Sequence, residues 1–445
     1  MDNYRRETKV KAATGQKTKS NQQTAETIAR IRHKFTLLDY PMLLVMALLI
    51  LMGYVMIFSS TMYLGENPMS FFLKQFAATG LGIVAFMIGI SVKSKVLENI
   101  KFLNIAMLGL VIALFVLMII GEIGGGAQSW VFIGAASFQP SELLKFVSVL
   151  VVSRLLAYQQ REVILSKEEI SKKTIFISIL LIITAVFLVL EQPDLGMAAI
   201  IVGTMLIVTV QQTYNRKINL LMYTSFAGIV LLMNLLSRLA SDWLISNQGY
   251  RFSRLGSYTN PFLYSQDDGY QLISAYLAFS RGGWFGVGLG QGVTKKQSLP
   301  AGHTDFILAN IGEEAGLLGV IVVISLLFAL IFMIYRWAAQ STSHFRRNVL
   351  FGVATSLLIQ SFINIGGIAG LIPLTGVTLP FISYGGSSMI VSIVTVAVAQ
   401  VMIIEEKLQM QLRLDEAYQQ ELAAIGNIEK KRTGLTLVHS RKQEK

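Results

Sequence analysis

Cysteine is absent from the chain, which removes any disulfide framework or thiolate metal site. Histidine is scarce: His33, His303, His344 and His439 are scattered, the wrong pattern for a zinc constellation. Charge is scarce as well. Only 14% of the 445 residues are charged, against 53% hydrophobic, and the mean hydropathy is +0.57. That balance excludes an ordinary soluble domain and leaves a membrane protein. The net charge of +12 is a topology signal before it is a partner signal.

Residues 1–35 are polar and basic, too polar to bury a core, and are expected to form a disordered cytoplasmic arm. The first apolar run, 42–60, is too long and begins too late for a cleavable signal peptide. Apolar segments long enough to cross about 30 Å of hydrocarbon then recur. They fall near 37–60, 71–92, 102–120, 143–158, 174–190, 195–210, 218–236, 307–335, 349–371 and 388–404. The expected fold is therefore all-α and polytopic, with about ten spans in a transmembrane domain over 36–404, followed by a tail over 405–445.

Lysine and arginine fall in alternate connections: Lys93, Lys95 and Lys101; Arg161, Lys167, Lys172 and Lys173; Arg216 and Lys217; Arg336, Arg346 and Arg347. Those loops and both termini are assigned to the cytoplasm. The glycine- and proline-rich loops then face outward, together with the long connection 240–304. Within it, 271–279 places Leu272, Ile273, Tyr276 and Leu277 on one helical face, the spacing of a helix lying in the membrane surface. The long outer loop is expected to be structured.

Ionisable groups at the mouth of a membrane helix are candidate site residues. Asp305 begins the eighth span, and two readings are open: Thr304 or Asp305 caps that helix, or Asp305 does chemistry. The run Gly286-x-Gly288-x-Gly290-x-Gly292, followed by Lys295 and Lys296, reads either as a flexible turn or as backbone amides and cations for an anion. Arg251 and Arg254, three apart, can clasp phosphate or form a solvated basic patch. Glu142 and Lys145 stand one turn inside the fourth span after Pro140, as a brace or a site. Asp194 opens the sixth span on the same side. Trp130 reads as an interfacial anchor.

Four motifs carry a resemblance: GAQSWVFIGAASFQPSELLK (126–145), EQPDLG (191–196), GVGLGQGVTKKQSLPAGHTDFILANIGEE (286–314) and GLIPLTGVTLPFISYGGSS (370–388). Together they resemble the SEDS family, the shape, elongation, division and sporulation proteins, over nearly all of 39–404. The sequence at 378–380 and the basic N-terminal arm are more similar to the division branch than to the elongation branch.

The resemblance implies an inverting peptidoglycan glycosyltransferase that polymerises lipid II on the outer face of the bacterial cytoplasmic membrane, at the division septum. It implies that Asp305 is essential and that Trp130, Glu142 and Lys145 line the same cavity. Chemistry agrees: an acceptor hydroxyl must lose a proton as it attacks, so one carboxylate suffices as general base. The lipid pyrophosphate leaves with help from donors such as Arg251, Arg254, Lys295 and the glycine loop, with Asp194 and His303 beside the substrate.

The implied partners are lipid II, the growing glycan strand, a class B penicillin-binding protein and other division proteins, with no nucleic acid. A divalent cation is compatible with a pyrophosphate, but no ligand set can be read from spacing. The chain departs from the family pattern at Ser129, Gly292, Ala301 and Gly302, where arginine, serine, glutamate and alanine are usual. The alternatives are a lipid II transporter, a scaffold for a transpeptidase, and an elongation-type polymerase. Against a transporter, the candidate charges cluster at one face and not at the midplane.

Overall fold

The computed structural model describes residues 32–63, 67–120, 122–124, 127–133, 136–159, 170–212, 257–258, 260–262, 268–297 and 301–443, with isolated positions between 213 and 256. Apolar runs fold as helices because a membrane leaves backbone groups no other partner than each other. Helix α1 spans Tyr40–Thr61 and starts at Asp39, whose carboxylate accepts the Met42 amide (3.2 Å). Asn67 caps α2 (Pro68–Ser91) in the same way, accepting the Met69 amide at 3.0 Å. The short α3 (Ser94–Glu98) leads into α4 (Ile100–Ile120).

Next come α5 (Pro140–Gln159), α6 (Lys172–Glu191), α7 (Leu195–Gln212), α8 (Asp268–Gly282), a 3-10 turn (Thr294–Gln297), α9 (Ile307–Gln340), α10 (His344–Ile368) and α11 (Gly386–Gln443). Among the described residues seven helices, α1, α2, α4, α6, α9, α10 and α11, are long and apolar enough to cross a membrane. The chain is a multi-pass membrane protein. Helix α5 is less apolar because it carries Glu142, Lys145 and Arg154, and α7 is short. The expected span at 218–236 lies outside the described residues, apart from isolated positions.

The expected all-α class holds, with one small addition. Between α4 and α5 lies a small antiparallel sheet, β1 (Glu122–Gly124), β2 (Ala127–Ile133) and β3 (Ala136–Phe138), in the order β1-β2-β3. Glu122 stands opposite Trp130, and Val131 opposite Phe138. The run Trp130 to Ile133 is aromatic and β-branched, and two residues separate consecutive strands, the length of a hairpin connection.

The chain divides into two compact units, Asp39–Met402 and a second that joins the segments before Asp39 and after Met402. In the first, α10 is central: it packs against α5, α7 and α9. Gly352 makes this close, since a Cβ there would lie 2.5 Å from Val149 and 3.3 Å from Val208. The apolar windows of α10 and α11 are 72% and 89% buried, against 22% for α4 and α6, so the latter two present their sides to lipid. In the second unit Lys407 donates to the carbonyls of Leu37 (2.8 Å) and Leu38 (3.4 Å).

Candidate active site

Asp305 belongs to a tight turn, 301–306, that leads into α9. Ala301 takes a positive φ of 54°, and its carbonyl accepts the amides of Thr304 (3.0 Å) and Phe306 (3.1 Å) and the Thr304 hydroxyl (3.1 Å). Each later carbonyl of the turn is held from a different place. Gly302 accepts from Asn310 Nδ2 (2.8 Å), His303 from the Tyr384 amide (2.9 Å), Thr304 from Ser383 Oγ (2.7 Å) and Asp305 from Asn364 Nδ2 (2.9 Å). Buried hydrogen bonds of this kind fix a backbone position because breaking any one strands a polar group.

The N-cap position of α9 is Phe306, one residue past Asp305. The His303 ring lies in a cluster with Phe71 (5.2 Å between centroids) and Tyr384 (5.4 Å). From α2, Gln75 holds the facing loop by donating to the Ser383 carbonyl (3.3 Å) and accepting the Gly385 amide (3.2 Å).

A second centre lies at the start of α5. Lys145 Nζ is buried between Glu142 Oε2 (2.8 Å) and Gln360 Oε1 (2.6 Å). Gln360 Nε2 donates to the Thr378 carbonyl (3.0 Å), and Asn364, one turn later on α10, donates to the adjacent Val377 carbonyl (2.7 Å). Asn364 is also the residue that holds Asp305. The two centres named by sequence are thus joined through α10 and the 377–378 segment.

Asp194 lies beside the start of α5. Its carboxylate accepts the Met197 amide (3.0 Å), capping α7, and accepts from Gln139 Nε2 (2.8 Å) just before α5.

The glycine-rich loop has a different role from the one its sequence suggests. Glu313 accepts the amides of Val293 (3.0 Å) and Thr294 (3.1 Å) and the Thr294 hydroxyl (2.9 Å), while Glu314 accepts the Gly290 amide (2.9 Å). The anion that this loop cradles is the protein's own pair of carboxylates. Lys295, expected at the substrate pyrophosphate, has its ammonium buried against Glu314 Oε1 (2.5 Å) and Ser59 Oγ (2.8 Å). At Gly292 a Cβ would lie 2.9 Å from Glu313 and 3.1 Å from Glu314, so a serine there would press on both.

The same loop repairs a break in α9. Gly316 has φ 69° and ψ −171°, outside helical geometry, and the backbone groups freed by it need partners. Glu313 and Glu314 carbonyls accept the Val287 (2.9 Å) and Gly288 (3.1 Å) amides, and the Leu317 and Leu318 amides donate to Gly283 (2.9 Å) and Trp284 (3.2 Å).

Helix α8 is present as expected, but its buried face is Leu272, Ala275 and Ala278 against α9, leaving Leu277 exposed and Tyr276 partly so, its hydroxyl lying against Gly370. Burial, with a smaller contribution from Tyr258, raises the pKa of the Tyr276 phenol. Trp130 sits in the β2 ladder; its side chain, and Arg251 and Arg254 entirely, lie outside the described residues. Ser59, Asn310, Glu313, Glu314, Gln360 and Asn364 were missed by sequence reasoning. The signal was available: polar side chains within or beside apolar spans. Among the described residues no group of three or more His, Asp or Glu side chains is placed to hold a metal ion.

Comparison with known proteins agrees with this arrangement. Residues 40–408 match the FtsW, RodA and SpoVE family model, described as "Cell cycle protein". "Probable peptidoglycan glycosyltransferase FtsW" of Bacillus subtilis is 36% identical over 360 residues, covering 79% of this chain and 87% of the relative. The protein of the same name from Saccharophagus degradans is 34% identical over 372 residues, covering 80% and 90%.

Among solved structures, one described as "Structural coordination of polymerization and crosslinking by a peptidoglycan synthase complex" is similar with a TM-score of 0.65 and 22% identity, covering 83% of this chain and 98% of that one. The rod shape determining protein RodA of Thermus thermophilus is similar with a TM-score of 0.57 and 22% identity, covering 83% and 97%. The chain belongs to the FtsW, RodA and SpoVE family of cell cycle proteins.

Proposed function

We propose that this chain is a division-type peptidoglycan glycosyltransferase that polymerises lipid II on the outer face of the cytoplasmic membrane at the septum. Its similarity to proteins named FtsW supports the division role. The observation that carries the chemistry is the turn around Asp305, whose carbonyls are engaged from α9, α10 and the 377–385 loop. Fixing a carboxylate before the substrate arrives is what general-base catalysis asks of a protein.

In the proposed step Asp305 accepts the proton of the acceptor sugar hydroxyl as that oxygen attacks the anomeric carbon of the donor. The bond from that carbon to the lipid pyrophosphate breaks as the glycosidic bond forms, with inversion. The pyrophosphate leaves with its electron pair, so it needs cations and no second carboxylic acid. Lys145, held by Glu142 and Gln360, is assigned to that end, with Arg251 and Arg254 of the outer loop. Trp130, Asp194 and His303 border the substrate.

The alternation of basic loops supports cytoplasmic termini, and a class B penicillin-binding protein is the proposed partner. The experiment is to add lipid II to the purified protein in detergent, without a gradient or nucleotide. Glycan strands are expected. Movement of labelled lipid II between leaflets of a proteoliposome, with no strands formed, would support a carrier instead.

A further inference from the structure

We propose that Gln360 and Asn364 are positioning residues that set the separation between the Lys145 ammonium and the Asp305 turn, and so match the site to the span between a pyrophosphate and an acceptor hydroxyl. This rests on the transferase reading. The two amides stand four residues apart on α10, about 6 Å along its axis, on the helix that packs against α5, α7 and α9.

Each amide has one hand on a charge centre and one on the same piece of backbone. Gln360 accepts from Lys145 (2.6 Å) and donates to the Thr378 carbonyl (3.0 Å). Asn364 donates to the Asp305 carbonyl (2.9 Å) and to the Val377 carbonyl (2.7 Å). Neither touches the Asp305 carboxylate through these bonds, so neither is catalytic in the sense of handling the reacting atoms.

The orientation of Asn364 is set by chemistry. Both of its N–H groups meet carbonyls, and reversing the amide would press oxygen against oxygen twice. Its Oδ1 is buried and has no hydrogen-bond partner among the described residues. A buried acceptor left unsatisfied destabilises a fold, so what this position preserves is the placement of its two donors. Gln360 is fully buried and Asn364 is 4% exposed, so solvent does not substitute for either bond.

The test uses near-isosteric changes in the full-length protein, assayed with its transpeptidase and lipid II. Asn364→Asp keeps the shape but turns a donor into an acceptor against two carbonyls. A displacement of about 1 Å at a reacting group is worth about 100-fold in rate, so kcat should fall by that order. KM should stay within about threefold, because substrate contacts remain. Hydrogen exchange at the Phe306 and Tyr384 amides should quicken, which separates a displaced turn from a general loss of fold.

Gln360→Glu provides the second reading if Asn364→Asp does not fold. It keeps an acceptor for Lys145, loses the Thr378 bond and adds a carboxylate beside the Glu142 and Lys145 pair, and a loss of about tenfold in kcat is expected for a smaller displacement. Normal kcat in either folded variant overturns the proposal, as does a loss of kcat without faster exchange at the turn. An inert Asp305→Ala beside normal Asn364→Asp and Gln360→Glu sinks the positioning role alone. An active Asp305→Ala sinks the transferase reading with it.

Discussion

Lys295 and Glu314 form an ion pair at 2.5 Å with both side chains buried, and the Ser59 hydroxyl bonds to each of them. Two charges in a low-dielectric setting are tolerable as a pair and not singly. Lys295→Met alone should therefore destabilise the protein by about 3–5 kcal/mol, because it strands the Glu314 carboxylate. The double variant Lys295→Met with Glu314→Gln should recover most of that loss. Chemical denaturation in detergent measures both. If the double variant is as unstable as the sum of the singles, the pair is not coupled as described.

Gly316 is where α9 breaks, and a Cβ there would come within 2.6 Å of backbone atoms of Trp284, Phe285 and Gly286. Gly316→Ala should be destabilised by about 1–3 kcal/mol for a φ/ψ pair that essentially only glycine adopts and by about 1–3 kcal/mol more for the overlap. Gly283 has φ 52° but open space around it, so Gly283→Ala reports a positive φ without any overlap. Equal thermal stabilities for the two variants would count against the close approach of loop and helix.

Asp194 caps α7 and receives Gln139 with the same carboxylate. Asp194→Ala should lower stability by about 1 kcal/mol, whereas Asp194→Asn, which keeps an acceptor for the Met197 amide and gives up the oxygen that receives Gln139, should lose less. Denaturation midpoints of the two variants decide it, and a matched loss in both would mean that the oxygen receiving Gln139 and its charge, not the cap on Met197, stabilise this end of the helix.

Much of the architecture was legible because hydropathy reports burial in lipid directly. The Glu142 and Lys145 pair was legible too, since a spacing of three on a helix brings side chains together whatever the rest of the chain does. Asp194 could be placed beside them because each opens a helix on the same side.

Other features depend on contacts that spacing does not encode. Glu313 and Glu314 are adjacent and read as two acids near the start of a span; their partners at 290 and 293–295 become neighbours only because Gly316 breaks the helix. A single glycine in a long apolar run usually signals nothing. The Lys295 ion pair was hidden for the same reason, its counter-ion lying nineteen residues on. Gln360 and Asn364 stand as lone amides in an apolar helix, and which carbonyls they hold is a property of the assembled bundle.

The account rests most directly on Asp305. The deciding measurement is lipid II polymerisation by the purified protein with its class B transpeptidase, comparing wild type with a folded Asp305→Ala variant. The account predicts glycan strands from the wild type and a rate lower by about 100- to 10,000-fold in the variant, the range for loss of a general base. Strands formed by Asp305→Ala at the wild-type rate would contradict it, and the turn at 301–306 would then be structure and not chemistry.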